Sequence, residues 1–217
     1  MIRICHIADI HIRGMSRHDE YKEVFTALVS DVKKNKVEHI FIAGDVFHTK
    51  VSGISPEYID FMTWWLTAMA DVAEVHMILG NHDGNLCNSS RQDAVSPVVS
   101  ALNNPRIHLY KKSGVYEFSP GYTWCVFSLF DKEGWASVKP VPGKINIACF
   151  HGSVHGAKTD ADWFVEGDLT VEFFKEFEFV FLGDIHRTQF LDYRSVEIEI
   201  DEKDLHKYPG AEVVDDG

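Results

Sequence analysis

The chain has 217 residues, 45% of them hydrophobic, which is enough to bury the core of one domain. Its formal net charge of −12 argues against a generic nucleic-acid binder. No apolar run approaches the length of a membrane-spanning helix, and residues 1–6 predict a strand rather than a signal peptide.

The negative charge is concentrated in the last part of the chain. Residues 158–217 carry 17 acidic and 6 basic side chains, whereas residues 1–157 carry 16 and 15. Such an acidic segment repels phosphates unless metal ions or a partner offset it. The cysteines form no CxxC pair and most lie in apolar runs, which predicts a reducing, cytoplasmic location. They are Cys5, Cys87, Cys125 and Cys149.

The first predicted strand covers residues 2–8 and ends at Asp9-Ile10-His11. Apolar residues then recur at helical spacing from Tyr21 to Val32, which predicts an amphipathic helix. Lysines follow at its C-terminal end, where cations either complement the helix dipole or form a DNA-binding patch. They are Lys33, Lys34 and Lys36.

The second predicted strand, 39–43, runs into Gly44-Asp45. Ser55-Pro56 is typical of a helix start, with serine as the cap and proline at the first helical position. The helix that follows is apolar on more than one face, because Trp64 lies beside Trp65. Trp64 either packs in the core or marks a dimer contact.

The third predicted strand, 75–79, runs into the turn Gly80-Asn81-His82-Asp83-Gly84. Asn81 offers a carbonyl oxygen suited to a divalent ion, and His82 can bind a metal or move a proton. Alone, the turn is equally typical of a polar cap at the end of a strand. The other strand ends of the chain decide between these interpretations.

The remaining predicted elements are shorter. A helix is expected over about 93–102, followed by strands near 107–109, 115–118 and 123–127. Two further apolar strands are 145–150, which runs into His151-Gly152, and 179–182, which runs into Gly183-Asp184-Ile185-His186. A closing antiparallel pair is predicted over 190–193 and 196–200, and an acidic, poorly ordered tail begins at Asp201.

Residues of metal-ligand type follow five apolar strands. In open α/β sheets, ligand sites form beyond the carboxyl ends of the strands, so five such endings can converge in one cleft. A single strand-terminal Asp or His has an ordinary structural explanation, but five coincidences do not. The endings are Asp9 with His11, Asp45, Asn81 with His82, His151, and Asp184 with His186.

A mixed set of Asp, His and Asn suits a pair of divalent ions such as Mn²⁺, Fe²⁺ or Zn²⁺ better than a thiolate-bound structural zinc. Two neighbouring ions need one shared carboxylate, and Asp45 stands alone in its motif. We therefore expect Asp45 to bridge them. Such a pair lowers the pKa of a bridging water and clamps a phosphate for in-line displacement.

These motifs, as an ordered set, resemble the five signatures of the calcineurin-like metallophosphoesterases over about residues 2–190. The Gly-Asp-Val-Phe-His run at 44–48 and the Pro-x-Tyr helix after it are most similar to SbcD-type nuclease subunits. The resemblance implies a four-layer α/β/β/α sandwich of two mixed β-sheets flanked by helices. It places the catalytic domain at residues 1–200 and an acidic tail at 201–217.

The resemblance also implies a role for each motif residue. His82 would be no ligand but would protonate the leaving oxygen, and His48 would partner it unless it is an ordinary loop histidine. Asp83 would brace the turn. Asp9, His11 and His186 would hold a first metal ion, Asp45 would bridge, and Asn81, His151 and Asp184 would hold a second.

Two departures from the family pattern bear on function. The family usually has Gly-His-x-His where this chain has Gly183-Asp184-Ile185-His186. A carboxylate there favours harder ions such as Mn²⁺ or Mg²⁺ over Zn²⁺, or weakens the second metal site. SbcD-type proteins also continue into a capping domain, so the sequence is either a catalytic core or a minimal enzyme.

The resemblance favours a two-metal phosphodiesterase that acts on DNA ends as an exonuclease or endonuclease, with Mn²⁺ and with Mg²⁺ or Fe²⁺ as alternatives. An SMC-like ATPase would be its partner, with no membrane involved. A homodimer would form through helices around 55–72 and 91–102. The alternatives are a small-molecule phosphodiesterase or phosphoprotein phosphatase of the same fold, and a non-catalytic subunit that binds DNA ends or a partner.

Overall fold

The computed structural model describes residues 2–13, 17–48, 54–88, 91–167, 169–187, 189 and 191. The strands within these ranges are β1 (Ile4–Ile7), β2 (His39–Ala43), β3 (Glu74–Ile78), β4 (Ile107–Tyr110), β5 (Gly114–Ser119), β6 (Tyr122–Phe127), β7 (Ile145–His151) and β8 (Phe179–Gly183). The helices are α1 (His18–Lys34), α2 (Pro56–Ala70) and α3 (Ser96–Leu102), with 3-10 helices over Lys132–Ser137 and Val171–Phe174.

The predicted closing strands and the acidic tail lie outside the described residues, apart from Leu191. None of the helices in the described ranges is long and apolar enough to cross a bilayer.

Contacts divide the chain into two compact units. The first is Met1–Gly152 with Phe174–Asp184, and the second is Ser153–Phe173 with Ile185–Gly217.

The first unit contains both sheets. Strands β1 to β4 form one sheet in sequence order, and every neighbouring pair is parallel. We predicted a mixed sheet here, but helices connect β1 to β2, β2 to β3 and β3 to β4, and such crossover connections favour parallel pairing. The three helices cover one face of this sheet, where α2 contributes the fully buried Met62, Trp65 and Leu66.

The second sheet has the order β5-β6-β7-β8, with β5 antiparallel to β6 and the remaining pairs parallel. Its inner face packs on the first sheet through an apolar cluster that includes Phe41, Trp124 and Cys149. Its outer face carries an aromatic cluster in which Trp135, from a 3-10 helix, contacts Phe127 and Phe150. The predicted α/β fold of two sheets flanked by helices is confirmed.

Side-chain hydrogen bonds lie at the starts of α2 and α3. Ser55 caps α2 as predicted, because its side chain accepts a hydrogen bond from the Tyr58 backbone N–H. Helix α3 begins at Ser96, three residues later than predicted. Asp93 lies before the helix, where its carboxylate accepts hydrogen bonds from the backbone N–H groups of Val95 and Ser96.

The second unit is a loop region held by short backbone pairings. Val154 pairs with Leu169 in parallel and Lys158 with Phe164 in antiparallel. Gln189 ties this unit further, because it accepts a hydrogen bond from the Lys158 backbone N–H.

A chain of polar rings crosses the first sheet from the buried His39 and His76 to the half-buried Tyr110 at the end of β4. His39 Nδ1 lies 3.0 Å from His76 Nε2, and His76 Nδ1 lies 2.9 Å from the Tyr110 hydroxyl. The ring of His108 stacks on His76 at a centroid distance of 4.8 Å. Burial, reinforced by His108 and His39, lowers the pKa of His76 from 6.5 to about 3.

We expect this ring chain to make the fold acid-sensitive. The unfolded chain binds a proton at His76 below its ordinary pKa of 6.5, whereas the folded chain resists it down to about 3, so stability is lost as pH falls. Relative to H76Q, the wild-type free energy of unfolding should drop by up to about 3 kcal/mol between pH 6.5 and pH 4. Denaturant unfolding at several pH values measures this. Equal pH slopes would contradict it, and H155Q, at an exposed histidine, is the control.

Candidate metal centre

The strand-end loops of the first unit lie side by side. The loop after β1 runs along the loop after β2, because His11 N donates to Asp45 O at 3.0 Å and Asp9 N donates to Gly44 O at 3.2 Å. The backbone N–H of Asp184, which follows β8, donates to both carboxylate oxygens of Asp9 at 2.9 and 3.1 Å. Residues from both sheets therefore meet at one edge.

Asp45 is the centre of the cluster. It is 2% exposed, and its Oδ1 lies 3.4 Å from His151 Nε2. Its Oδ2 lies 3.6 Å from His11 Nε2 and 4.0 Å from His82 Nε2. Asp45 thus belongs to two sets whose potential ligand atoms lie within 4.8 Å of one another, one with His11 and His82, the other with Asp9 and His151.

The protonation states of Asp45 and His151 fit a cation site. Burial alone would raise the pKa of Asp45, but the hydrogen bond and charge of His151 lower it below its ordinary value. Burial alone would lower the pKa of His151, but Asp45 raises it to about 9. The buried carboxylate therefore attracts a positive charge at neutral pH, and a divalent ion on these oxygen and nitrogen donors meets the same requirement.

His151 is oriented by main-chain contact. Its Nδ1 lies 2.6 Å from the Ala43 carbonyl, so this nitrogen carries the proton that the carbonyl accepts. Its Nε2 then faces Asn81 Oδ1 at 2.9 Å and Asp45, with Asp184 Oδ1 at 4.0 Å. A histidine held in this way presents its other nitrogen to a metal ion, which would replace the proton on Nε2.

Two glycines allow this close approach. A Cβ at Gly80 would lie 2.1 Å from Asp45 Oδ1, and a Cβ at Gly183 would lie 2.2 Å from the Ala43 carbonyl oxygen. Any larger residue would push the strand ends apart. The glycines before Asn81 and Asp184 are therefore required by packing inside the cluster.

The cluster also contains backbone in the left-handed region. The φ angles of Asp9, His11, Asp45 and Asp184 are 54°, 49°, 53° and 84°. This region is uncommon for residues other than glycine, although Asp and His enter it more readily than most, and such strain concentrates at functional sites. The four side chains are held in place by a fold that stabilises these conformations.

His82 is fixed through the main chain of His48. Its Nδ1 lies 2.6 Å from the His48 carbonyl oxygen, and its backbone N–H donates to Asp45 Oδ1 at 2.8 Å. The centroid of the His48 ring lies 6.3 Å from that of the His82 ring and 5.6 Å from that of the His11 ring. The His82 side chain is 41% exposed, so its imidazole is accessible to a substrate.

Asp83 braces the turn, as predicted. It is fully buried, and its two carboxylate oxygens accept hydrogen bonds from Phe47 N at 3.0 Å and Gly80 N at 2.9 Å. These contacts join the loop after β2 to the loop after β3. Burial raises the pKa of Asp83 to about 6 despite both hydrogen bonds.

His186 belongs to the second unit, so its role as a ligand stays a prediction. Sequence reasoning missed two supporting tyrosines. The Tyr21 hydroxyl donates to the His11 carbonyl and the Tyr58 hydroxyl donates to the Ile12 carbonyl, each at 2.7 Å. Both residues lie on apolar helix stripes, where the sequence gives no sign that a hydroxyl anchors a loop.

The chain is similar in sequence to a family of known proteins and to two curated relatives. A family model described as "Calcineurin-like phosphoesterase" matches residues 2–193. "Uncharacterized protein R555" of Acanthamoeba polyphaga mimivirus is 39% identical over 204 residues, which are 87% of this chain and 15% of that protein. The SbcD component of the nuclease SbcCD of Bacillus subtilis (strain 168) is 33% identical over 104 residues, which are 45% of this chain and 25% of that protein.

The chain therefore spans a quarter or less of the length of both curated relatives. Among solved structures, the crystal structure of Pseudomonas putida nuclease MPE aligns with a TM-score of 0.39 and 18% identity. That alignment covers 75% of this chain and 67% of the other.

Proposed function

This chain belongs to the calcineurin-like phosphoesterase family, and from that premise we propose that it is a divalent-metal-dependent phosphodiesterase that cleaves DNA. We further propose that it acts as the nuclease subunit of an SbcCD-like repair or recombination complex. The observation that carries the proposal is the buried Asp45, with imidazoles of His11, His82 and His151 within 3.4–4.0 Å of its oxygens. The local similarity to a component of a nuclease supports DNA as the substrate.

The donor set supports two divalent ions. Oxygen and imidazole donors without thiolate suit Mn²⁺, with Mg²⁺ or Fe²⁺ as alternatives. When bound, such ions lower the pKa of water and stabilise charge on phosphate oxygens. The residues that would hold them are Asp9, His11, Asp45, Asn81, His151, Asp184 and His186, with Asp45 shared.

His82 supplies the proton that hydrolysis requires. Water adds to phosphorus, the P–O bond to the leaving group breaks, and the leaving alkoxide takes a proton from His82 Nε2. The His48 carbonyl holds Nδ1, which fixes the ring so that Nε2 is the transferring nitrogen. The proton released by the attacking water restores the imidazolium in the next cycle.

The proposed partners follow from the same premise. DNA ends are the substrate and an SMC-like ATPase is the partner protein. A homodimer through the helices around 55–72 and 91–102 is supported by Ile59 and Trp64, which are large exposed apolar side chains of α2. A monomeric mass in light scattering would contradict the dimer.

The direct test is cleavage of end-labelled linear duplex DNA with Mn²⁺, with and without a chelator and with and without the ATPase partner. Mn²⁺-dependent shortening or internal cleavage is the expected result. Titration calorimetry should find two Mn²⁺ per chain. One ion or none, with no cleavage, would favour a non-catalytic subunit that binds DNA ends or a partner.

The net charge of −12 favours a second candidate, a small-molecule phosphodiesterase or phosphoprotein phosphatase, because an acidic surface repels a polyanion. Bis-p-nitrophenyl phosphate, which lacks flanking phosphates, separates the candidates. Its hydrolysis without DNA cleavage, even with the ATPase present, would support the second candidate.

Asp184 should set the metal preference. Its carboxylate lies 4.0 Å from His151 Nε2, and an imidazole in its place is a softer donor. We expect D184H to raise the affinity for Zn²⁺ relative to Mn²⁺ by about 10-fold. Competition titration of both metals measures the ratio, and D71N, at the exposed end of α2, is the control. An unchanged ratio would show that residue 184 contacts no metal.

A further inference from the structure

Two loops outside the ligand set cross the same edge of the first unit. Tyr110, the last residue of β4, is in register with Ile78 of β3, which is itself in register with Ala43 of β2. The residues after Tyr110 therefore continue beside the Gly80 turn. Phe127, the last residue of β6, pairs with Phe150 of β7, the residue before His151.

These loops are bonded into one rigid feature. Ser113 N donates to Asp131 Oδ2 at 2.8 Å, and the Ser113 hydroxyl donates to the Asp131 carbonyl at 2.7 Å. The Ser128 hydroxyl donates to the Lys111 carbonyl at 2.8 Å. We call residues 111–113 and 128–132 the lysine ledge, after Lys111, Lys112 and Lys132.

The lysine ledge touches the segment that carries His82. A Cβ at Gly84 would lie 2.5 Å from the ring of Phe130, so this ring packs directly on the glycine that ends the turn. Further along, Lys111 Nζ lies 2.7 Å from Asp93 Oδ2. The backbone N–H of the next residue, Ala94, donates to the Asp83 carbonyl at 2.8 Å.

The lysine side chains of the ledge face solvent, whereas the carboxylates paired with them face inward. Lys112 has a side chain 76% exposed, whereas its partner Asp131 is 19% exposed and lies 3.4 Å away. Lys111 is 48% exposed, and its partner Asp93 is 5% exposed. Both carboxylates also accept backbone N–H groups, so the ammonium groups face solvent while the acids face inward. An ion pair as exposed as that of Lys112 holds its lysine only weakly.

We propose that the lysine ledge binds backbone phosphates of the DNA strand on one side of the scissile phosphate, with Lys112 as the main contact. This inference rests on the proposed DNA substrate. Neighbouring strands lie about 4.8 Å apart, and a DNA strand carries one phosphate per roughly 3.4 Å of helix axis. A cation one strand away from the Gly80 turn is therefore within reach of the adjoining phosphates. Lys132 contributes less, because Glu133 follows it.

The test compares K112Q and K132Q with wild type and with a lysine control. K34Q is the control, because Lys34 lies in the last turn of α1, ahead of β2, and so at the opposite end of the strands from the metal centre. That position favours interaction with the helix dipole over a DNA-binding patch. Binding of fluorescein-labelled duplex DNA is followed by anisotropy between 50 and 200 mM salt. Hydrolysis of bis-p-nitrophenyl phosphate is followed in parallel, and thermal melting confirms that each variant folds.

We expect K112Q to weaken DNA binding about 5-fold at low salt and to reduce the slope of log affinity against log salt by about 0.9, the value for one lost phosphate contact. Hydrolysis of bis-p-nitrophenyl phosphate should not change, and K34Q should match wild type in both assays. K132Q should show the same effects at smaller size.

Wild-type slopes in both K112Q and K132Q would overturn the proposal, as would wild-type protein that binds no DNA. Equal loss in K34Q would show a general charge effect and would also overturn it. Because binding is measured separately from cleavage, wild-type protein that binds DNA through Lys112 but cleaves none would reject the proposed activity and still support the lysine ledge.

Discussion

Replacing Asp45 with asparagine should abolish metal-dependent cleavage while leaving the chain folded. Asn keeps an oxygen that can accept the His82 backbone N–H, a contact of 2.8 Å in the wild type. It removes the negative charge that His11, His82 and His151 surround. The expected loss of activity is on the order of 10³-fold, since we propose that both metal ions share this carboxylate.

Calorimetry and melting separate the possible causes of that loss. D45N should bind fewer Mn²⁺ ions per chain than wild type, with a similar melting temperature in chelator. D71N, an exposed Asp-to-Asn change at the end of α2, controls for loss of one acidic charge. Full Mn²⁺ binding and activity in D45N would refute the central position that we assign to Asp45.

His82→Ala should reduce DNA cleavage by about 10²- to 10⁴-fold, the range for loss of a general acid. Metal binding should persist, since the resemblance assigns His82 no ligand role. The defect should be much smaller on bis-p-nitrophenyl phosphate, because a nitrophenolate leaves without needing a proton. Steady-state kinetics on both substrates measures the difference.

H48A is the informative control for this prediction. His82 is held by the His48 carbonyl, which alanine retains, so H48A should lose less than about 10-fold. A loss in H48A equal to that in H82A would show that the His48 ring itself takes part in catalysis. Equal defects of H82A on both substrates would instead exclude His82 as the proton donor.

Much of the fold could be predicted because apolar periodicity is strong. His39–Ala43 was predicted to its ends, and the strands near 107–109, 115–118 and 123–127 were placed within two residues. The all-parallel first sheet was not predicted, because strand pairing depends on contacts between distant segments. The start of α3 was misplaced because Asp93 lies two residues before the N-cap Val95 and accepts the Ser96 N–H from outside the helix, and such a residue looks like a first-turn residue in the sequence.

The sequence predicts which strand ends can converge at the site, but not the contacts that orient the side chains there. Strand-end position predicts that Asp45 and His151 can converge, and the structure places their atoms 3.4 Å apart. The sequence could not predict that the Ala43 carbonyl bonds His151 or that the His48 carbonyl bonds His82. Carbonyl groups are present at every residue, so the sequence does not distinguish the ones that orient a side chain.

The hydrogen bonds from Asp184 N to Asp9 join residues 175 positions apart in the sequence. During translation, the loop that carries Asp9 can therefore form these bonds only after β8 and Asp184 have been synthesised. At about 5–20 residues per second this delay is roughly 10–35 s. A nascent or prematurely terminated chain that lacks β8 would carry an incomplete centre, so the proposed cleavage activity should be confined to chains that have passed residue 184.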